Sequence, residues 1–353
     1  MNHKIDRFLF LSSAEKVEGA EVSLITFLNC YSYESPVEVF ACSNDLLERL
    51  DLPSSRMHKV DWARKVKTTL WLIKKIQTLG KEEKVTVVIF NLNLGVISLV
   101  LKAFCFSRIK IILDLHDYLP SRLGRFKLNM LAICVDGVVA VSRFAASQLV
   151  LKQKTISIYR PVALEMSSLK NREKQLQAKV SVGVLARLDP DKNLEFVISI
   201  ARLRPNINFF VYGEPSKKFS DYSQSLIENS RGVQNLTWMG RVPPNEIYSV
   251  IDVLLCANPS EALGRSILEA KILGIPVVGP NRGGFSEIQG MSFSGQVFNS
   301  ESPASAAAAI ELVLRSEQVE LDRDASHWQQ ETSPHKYVKD YFDALCRLQE
   351  GIN

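Results

Sequence analysis

Cys256–Glu287 reads CANPSEALGRSILEAKILGIPVVGPNRGGFSE, and the order of its parts decides the fold. The apolar run VLLCA, Val253–Ala257, is a strand, and a loop carrying Glu261 follows it. Gly264 lets the backbone approach a neighbour closely. A helix is expected over Ser266–Leu273, then a second strand over Pro276–Val278. The start of such a helix offers unpaired N–H groups and a positive dipole end, which favour a phosphate. Glu269 lies on its first turns, where a carboxylate can accept paired hydroxyls such as those of a ribose.

Upstream stands Gly183–Asn193, GVLARLDPDKN. Arg187 ends a strand and Lys192 opens the next helix, so two cations share one βα loop. Cations there can neutralise a diphosphate at the carboxyl edge of a sheet. Between the two stretches lie FFVYGEP, Phe209–Pro215, and NLTWMGRV, Asn235–Val242.

The same alternation runs through the chain and predicts parallel α/β sheets. In the first half, strands are expected at Phe8–Ser12, Val37–Ala41, Val85–Asn91, Ile109–Leu115 and Gly137–Val141. Helices fall near Ala20–Cys30, Trp62–Leu79 and Gly95–Cys105. In the second half, strands are expected at Val180–Ala186, Asn208–Tyr212, Leu236–Met239, Val253–Ala257, Pro276–Val278 and Gly295–Phe298. Helices there are Leu194–Leu203, Ser220–Asn229, Pro244–Val250, Ser266–Leu273 and Pro303–Arg315, with Pro334–Leu348 as a final amphipathic helix. Arg160–Lys179 reads as a linker. The expected domains are residues 1–162 and 163–333, with 334–353 packing back on the first.

With 353 residues, 46% hydrophobic and 23% charged, the chain suits two globular domains and excludes disordered or disulfide-stapled classes. Residues 1–165 hold 23 Lys and Arg against 16 Asp and Glu, and the remainder holds 20 against 22. The basic first half suits an anionic membrane surface or an acidic acceptor, and is too mild to argue for nucleic acid. The six cysteines are scattered and read as reduced core thiols of a cytoplasmic protein, and the five histidines lack metal-ligand spacing. The start, MNHKIDRFLFLSS, is read as a first strand rather than a signal peptide, and no apolar run reaches membrane-spanning length.

Trp62, Val66, Leu70, Ile73 and Ile76 share one helix face. A core-packed helix is the reading preferred there. A membrane-surface helix is the alternative, with basic SRLGRFK, Ser121–Lys127, beside the expected acceptor side.

These motifs together resemble the retaining GT-B glycosyltransferases of family 4, the glycosyl transferases group 1. The resemblance rests on the Arg187…Lys192 loop, Gly213–Glu214–Pro215, Gly240–Val242, and Pro259–Ser260 followed by Glu261-x7-Glu269. Gly274–Val278 and then Gly283–Gly284 with Glu287 complete the set. Five motifs in family order over about a hundred residues make the match specific. In the first half, Glu18–Glu21, Leu113–Asp117 and Val138–Ser142 resemble family segments more weakly. The chain departs from the pattern in having Glu18 where the family has glycine, Ser260 directly before Glu261, and Tyr159–Val162 where Asn-Gly is usual.

The resemblance implies an α/β protein of two Rossmann-like domains (GT-B) with an interdomain donor-binding cleft. It implies transfer of a sugar, with retention, from a nucleoside-diphosphate sugar to a glycan or lipid-linked acceptor. UDP is expected ahead of GDP, in cell-surface polysaccharide or glycoconjugate synthesis, with no essential metal or other cofactor. Catalytic roles fall to His116, Glu261, Arg187 and Lys192, and donor binding to Gly19, Arg241, Leu263, Gly264, Arg265 and Glu269. Arg187 and Lys192 would stabilise the leaving diphosphate. Glu261 would hold the transferred sugar, Glu269 the ribose, and Arg241 the nucleobase pocket. Gly19 N–H would reach the diphosphate, and His116 the donor sugar. The first half suggests a protein peripheral on the inner face of a membrane. Two other readings stay open: a non-catalytic sugar-nucleotide-binding subunit of a glycan-assembly complex, and a GT-B sugar-nucleotide epimerase.

Overall fold

The computed structural model describes residues 6–32, 35–80, 83–105, 109–162 and 179–351. The chain divides into two compact units, Met1–Pro161 with Thr332–Asn353, and Val162–Glu331.

The first unit is built on strands β1 (Asp6–Ser12), β2 (Val37–Ala41), β3 (Met57–Lys59), β4 (Lys84–Ile89), β5 (Ile109–Leu115), β6 (Gly137–Ala140) and β7 (Thr155–Ser157). They form one parallel sheet in the order β3-β2-β1-β4-β5-β6-β7. Its helices are α1 (Gly19–Asn29), α2 (Asn44–Glu48), α3 (Lys65–Leu79), α4 (Gly95–Cys105), α5 (Arg122–Cys134) and α6 (Arg143–Ala146). The central strands are apolar at successive positions, because helices cover both faces of the sheet. Leu9, Phe10, Leu11, Ile111 and Ile112 are all fully buried. The chain steps outward from β1 to β3, then crosses back to β4 and steps the other way. Right-handed crossovers in opposite directions place α1 on one face and α3, α4 and α5 on the other.

The second unit alternates strands β8 (Ser181–Leu185), β9 (Asn208–Tyr212), β10 (Leu236–Gly240), β11 (Val253–Leu255), β12 (Val277–Pro280) and β13 (Gln296–Phe298) with helices. These are α7 (Leu194–Leu203), α8 (Ser220–Asn229), α9 (Pro244–Val250), α10 (Arg265–Ile272), α11 (Gly283–Gln289), α12 (Pro303–Val313) and α13 (Gln318–Glu331). The strand order is β10-β9-β8-β11-β12-β13, again all parallel. Direction reverses between β8 and β11. A last helix, α14 (Pro334–Glu350), packs in the first unit against α1, β5 and β6. Its Tyr337, Tyr341 and Leu345 join Phe8, Phe10, Phe27 and Val139 in one core.

Several expectations are corrected. Trp62 lies in a short 3-10 turn before α3, where its Nε1 donates to the Ser12 carbonyl at 2.7 Å. Of the supposed core face of α3, Ile73 and Ile76 are buried, but Val66 and Leu70 are exposed. Gly283 and Gly284 open helix α11. Arg160 is buried rather than part of a linker, and residues 163–178 of the proposed linker lie outside the described residues. Of the cysteines only Cys105 is fully buried; Cys30, which ends α1, is exposed.

Candidate functional site

In an open parallel sheet, ligands bind beyond the carboxyl ends of the strands where the order reverses. In the second unit that point lies between β8 and β11. The two most distinctive loops of the sequence leave these two strands on the same edge.

The loop after β8 packs closely on the end of β9. Gly213 ends β9 with φ +155, and a Cβ there would lie 2.0 Å from the Ala186 carbonyl oxygen. Leu188 N–H donates to Glu214 O at 3.2 Å. Arg187 stays exposed, with Nε donating to Asp189 Oδ2 at 3.0 Å. Asn193 turns the chain at φ 54, and its side-chain amide donates to Ala257 O at 3.2 Å, tying the start of α7 to the end of β11.

Lys192 Nζ donates to Glu261 Oε2 at 3.1 Å, which joins the two loops directly. Burial by itself would lower the Lys192 pKa, but Glu261 and Asp191 outweigh it and hold the ammonium above its ordinary range. Asn258 donates to the same Glu261 oxygen at 3.0 Å and accepts from Ser260 N–H at 2.9 Å. The short loop from Ser260 to Glu261 is therefore a closed turn.

Gly264 caps α10 at φ +81, and a Cβ there would meet Ile267 Cδ1 at 2.2 Å. Gly284 lets the start of α11 lie against Ala262, since a Cβ would come within 2.6 Å of the Ala262 carbonyl oxygen. Its N–H donates to Glu261 O at 2.7 Å. The Gly-Gly pair therefore supports the Glu261 loop from below.

Glu269, one turn into α10, is buried. Its Oε1 accepts from Arg265 Nε at 2.9 Å and its Oε2 from Tyr248 Oη at 2.7 Å. Burial, reinforced by the Glu269 charge, drives the Tyr248 pKa well up, so the phenol is a donor at neutral pH. The helix is anchored on its inner side by Lys271, buried and paired with Asp324 at 2.9 Å. Leu263 is buried behind the loop. Arg241 is exposed after β10, two strands away from β8, where Gly240 at φ +67 bends the chain.

The site thus gathers Arg187, Lys192, Glu261, Gly264, Arg265 and Glu269 on one edge, with Arg241 farther along it. Asn193, Asn258 and Tyr248 belong with them and escaped the sequence reading. Only the Asn258-x-Ser260 turn had a local signal; Tyr248 needed the packing of α9 on α10. Two Asp-x-Asp triplets also escaped it, Asp189–Asp191 and Asp322–Asp324. Asp189 accepts from Arg187, Asp191 pairs with Lys192 at 3.4 Å, and Asp324 pairs with Lys271. Among the described residues no group of three or more His, Cys, Asp or Glu side chains could hold a metal ion.

Gly19 and His116 lie in the first unit. Gly19 is the first residue of α1, exposed, and a Cβ there would meet nothing within 4 Å. Packing therefore does not require this glycine. Glu18 caps the helix, its N–H bonded to Glu21 Oε2 at 3.2 Å. His116 follows β5 with its ring 5.2 Å from that of Phe90. Its Nε2 is 3.2 Å from Asp114 Oδ1 but makes no hydrogen bond, while Asp114 accepts from Arg160 and from the Tyr341 hydroxyl. Burial pushes the His116 pKa down to about 4; Asp114 opposes this, and Arg160 adds to it. The imidazole is neutral at pH 7.

Comparison with known proteins agrees with this architecture. The chain is 26% identical over 172 residues to the phosphatidylinositol N-acetylglucosaminyltransferase GPI3 subunit of Saccharomyces cerevisiae; the match takes in 44% of this chain and 37% of that protein. It is 24% identical over 118 residues to the UDP-N-acetylglucosamine–peptide N-acetylglucosaminyltransferase GtfA subunit of Streptococcus agalactiae, covering 32% and 23%. The chain thus spans only 37% and 23% of the length of these two curated relatives. Among solved structures, Anabaena Alr3699/HepE in complex with UDP and glucose superposes with a TM-score of 0.78 at 18% identity, over 98% of this chain and 100% of that one. This gives the fold as GT-B-like, two parallel α/β units. Residues 168–331 match the glycosyl transferases group 1 family.

Proposed function

We propose that the protein transfers a sugar from a nucleoside-diphosphate sugar, UDP ahead of GDP, to a glycan or lipid-linked acceptor. The observation that carries this reading is the Lys192–Glu261 pair at the β8/β11 reversal, with Glu269 held on the helix beside it. Departure of a nucleoside diphosphate builds negative charge, and preplaced cations stabilise it without reorganising. Lys192, kept charged by its two carboxylates, and exposed Arg187 take that role. Glu261 accepts hydroxyls of the transferred sugar, and its short tie to Lys192 couples sugar placement to leaving-group charge. Glu269 takes the ribose, with Arg265 and Tyr248 fixing its orientation. Gly264 and the first N–H groups of α10 face the diphosphate, backed by Leu263. Arg241 lines the base pocket.

From the first unit, Gly19 is assigned to the diphosphate and His116, neutral, to the donor sugar. Retention of configuration and independence of metal are expected from the family. The solved HepE complexes hold UDP, glucose or UDP-glucose, and the two curated relatives are N-acetylglucosaminyltransferase subunits. These support a UDP-sugar as the first donor to try.

Glu18 favours a second reading. A carboxylate capping the helix start repels the phosphate that a glycine would admit. A sugar-nucleotide-binding subunit with little turnover fits that feature. Product analysis separates the readings. With UDP-sugars and cell-envelope acceptors, a transferase yields UDP and a new glycoside. An epimerase yields UDP and an altered free sugar, and a binding subunit yields neither.

A further inference from the structure

Half of the large hydrophobic side chains exposed among the described residues belong to three helices of the first unit. Helices α3, α4 and α5 have 15, 11 and 13 residues and carry ten of the twenty large hydrophobic side chains exposed among the described residues. Val66, Leu70 and Trp71 come from α3, and Val96, Leu99 and Phe104 from α4. On α5, Leu123, Phe126, Met130 and Ile133 recur at spacings of three and four and form one outward stripe. Phe104 and Phe126 are 64% and 63% exposed, and Val96 is 70% exposed. The three helices lie side by side on the face of the sheet opposite α1. Gln77 of α3 donates to the Phe104 carbonyl of α4, and Gly95 of α4 abuts Leu131 of α5. Their inner sides are spent on the core, through Ile73, Ile76, Ile97, Leu101, Leu128 and Ala132.

The charges on these helices have one sign. Together they hold eight Lys and Arg and no Asp or Glu. Lys75 is neutralised by Glu38 at 2.6 Å and Lys102 by Asp136 at 2.5 Å, while Arg125 donates to the carbonyls of Leu119 and Pro120. Lys67, Lys74, Arg122 and Lys127 remain exposed, and none is paired with a carboxylate among the described residues. Exposed apolar side chains on the same helices as uncompensated cations fit a surface that is apolar inside and anionic outside. A second copy of the same face would bring like charges together.

We propose that the α3–α4–α5 face seats the protein on an anionic lipid bilayer, with its aliphatic and aromatic side chains in the headgroup–acyl boundary and Lys67, Lys74, Arg122 and Lys127 on lipid phosphates. The contact is peripheral. No described helix is long and apolar enough to cross a membrane. The proposal does not rest on sugar transfer, and it is tested without donor or acceptor.

The test is sedimentation of the full chain with vesicles of phosphatidylcholine, with and without phosphatidylglycerol. The expected result is a partition coefficient higher by more than about tenfold on the anionic vesicles, lost in high salt. The K67Q/K74Q/R122Q/K127Q variant removes the preference for anionic lipid. The L123D/F126D variant lowers partition to both vesicle types. All six side chains are exposed, so both variants keep the wild-type circular dichroism and melting point. Equal sedimentation with the two vesicles, or none with either, overturns the proposal. So does a dimer in sedimentation equilibrium that L123D/F126D dissolves, which would assign the face to a second copy.

Discussion

At the scale of single residues, the candidate site is a set of paired charges. Glu18 stands at the N-terminus of α1 beside Gly19, which packing does not require. Replacing Glu18 by Gly removes the repulsion and should tighten UDP-sugar binding several-fold in calorimetry; unchanged or weaker binding would place the diphosphate elsewhere. His116 carries a pH signature. Its folded pKa, about 4, lies below its unfolded value of 6.5, so the unfolded chain takes up the proton first. The stability linked to His116 is full above the unfolded value and is lost as pH falls toward the folded one. The loss should be on the order of 3 kcal/mol by pH 4. The His116→Gln variant should lose this slope between pH 6.5 and 4, read from denaturant midpoints. A wild-type imidazole titrating by NMR near its ordinary pKa would contradict the neutral assignment. Residue types and spacing made Arg187, Lys192, Glu261 and Glu269 legible in the sequence. Asn193, Asn258 and Tyr248 were not, because their roles depend on contacts across 64, 3 and 21 residues, of which only the second is local.

At the scale of elements, helix α10 is held from both sides. Gly264 sets its start, Tyr248 and Arg265 hold Glu269 on one side, and Lys271 locks it to α13 through Asp324 on the other. Asp324 also accepts from Phe293 N–H and Ser294 N–H, so its charge is buried and shared. Lys271→Ala leaves that carboxylate without its counter-ion and should cost about 3–5 kcal/mol in chemical unfolding. A change below 1 kcal/mol would mean that the pair is not a lock. Strong periodicity made most elements readable: β2, β5, β9, α4, α7, α8 and α9 have the bounds their patterns predict. The unread ones have physical reasons. β3 and β7 are three-residue edge strands with no fully buried position. The α13 sequence is polar nearly all round, burying only Asp324 and Trp328. The α5 stripe of Leu123, Phe126, Met130 and Ile133 faces outward, so its pattern does not mark a core.

At the scale of the whole molecule, the chain repeats one solution twice: a parallel sheet whose order reverses once, with distinctive loops at the reversal in the second unit. The carboxyl-terminal segment then completes the first unit. Tyr337 and Tyr341 of α14 hold the buried Arg160–Asp114 pair, and the helix covers Phe8 and Phe27. Truncation after Glu331 should abolish cooperative thermal unfolding of the first unit; a truncated chain melting like the full one would show α14 to be dispensable. The expectation that 334–353 pack back on the first domain named no contact for them, since an amphipathic tail fits many surfaces. The most direct test of the donor site is calorimetric titration of the full chain with UDP and UDP-sugars, beside Lys192→Ala and Glu269→Ala. One-to-one binding, weakened at least about tenfold in each variant, is the expected result for a lost charged hydrogen bond. Wild-type affinity in both variants, or no binding of any nucleotide by the intact chain, would contradict a donor site at the β8/β11 edge.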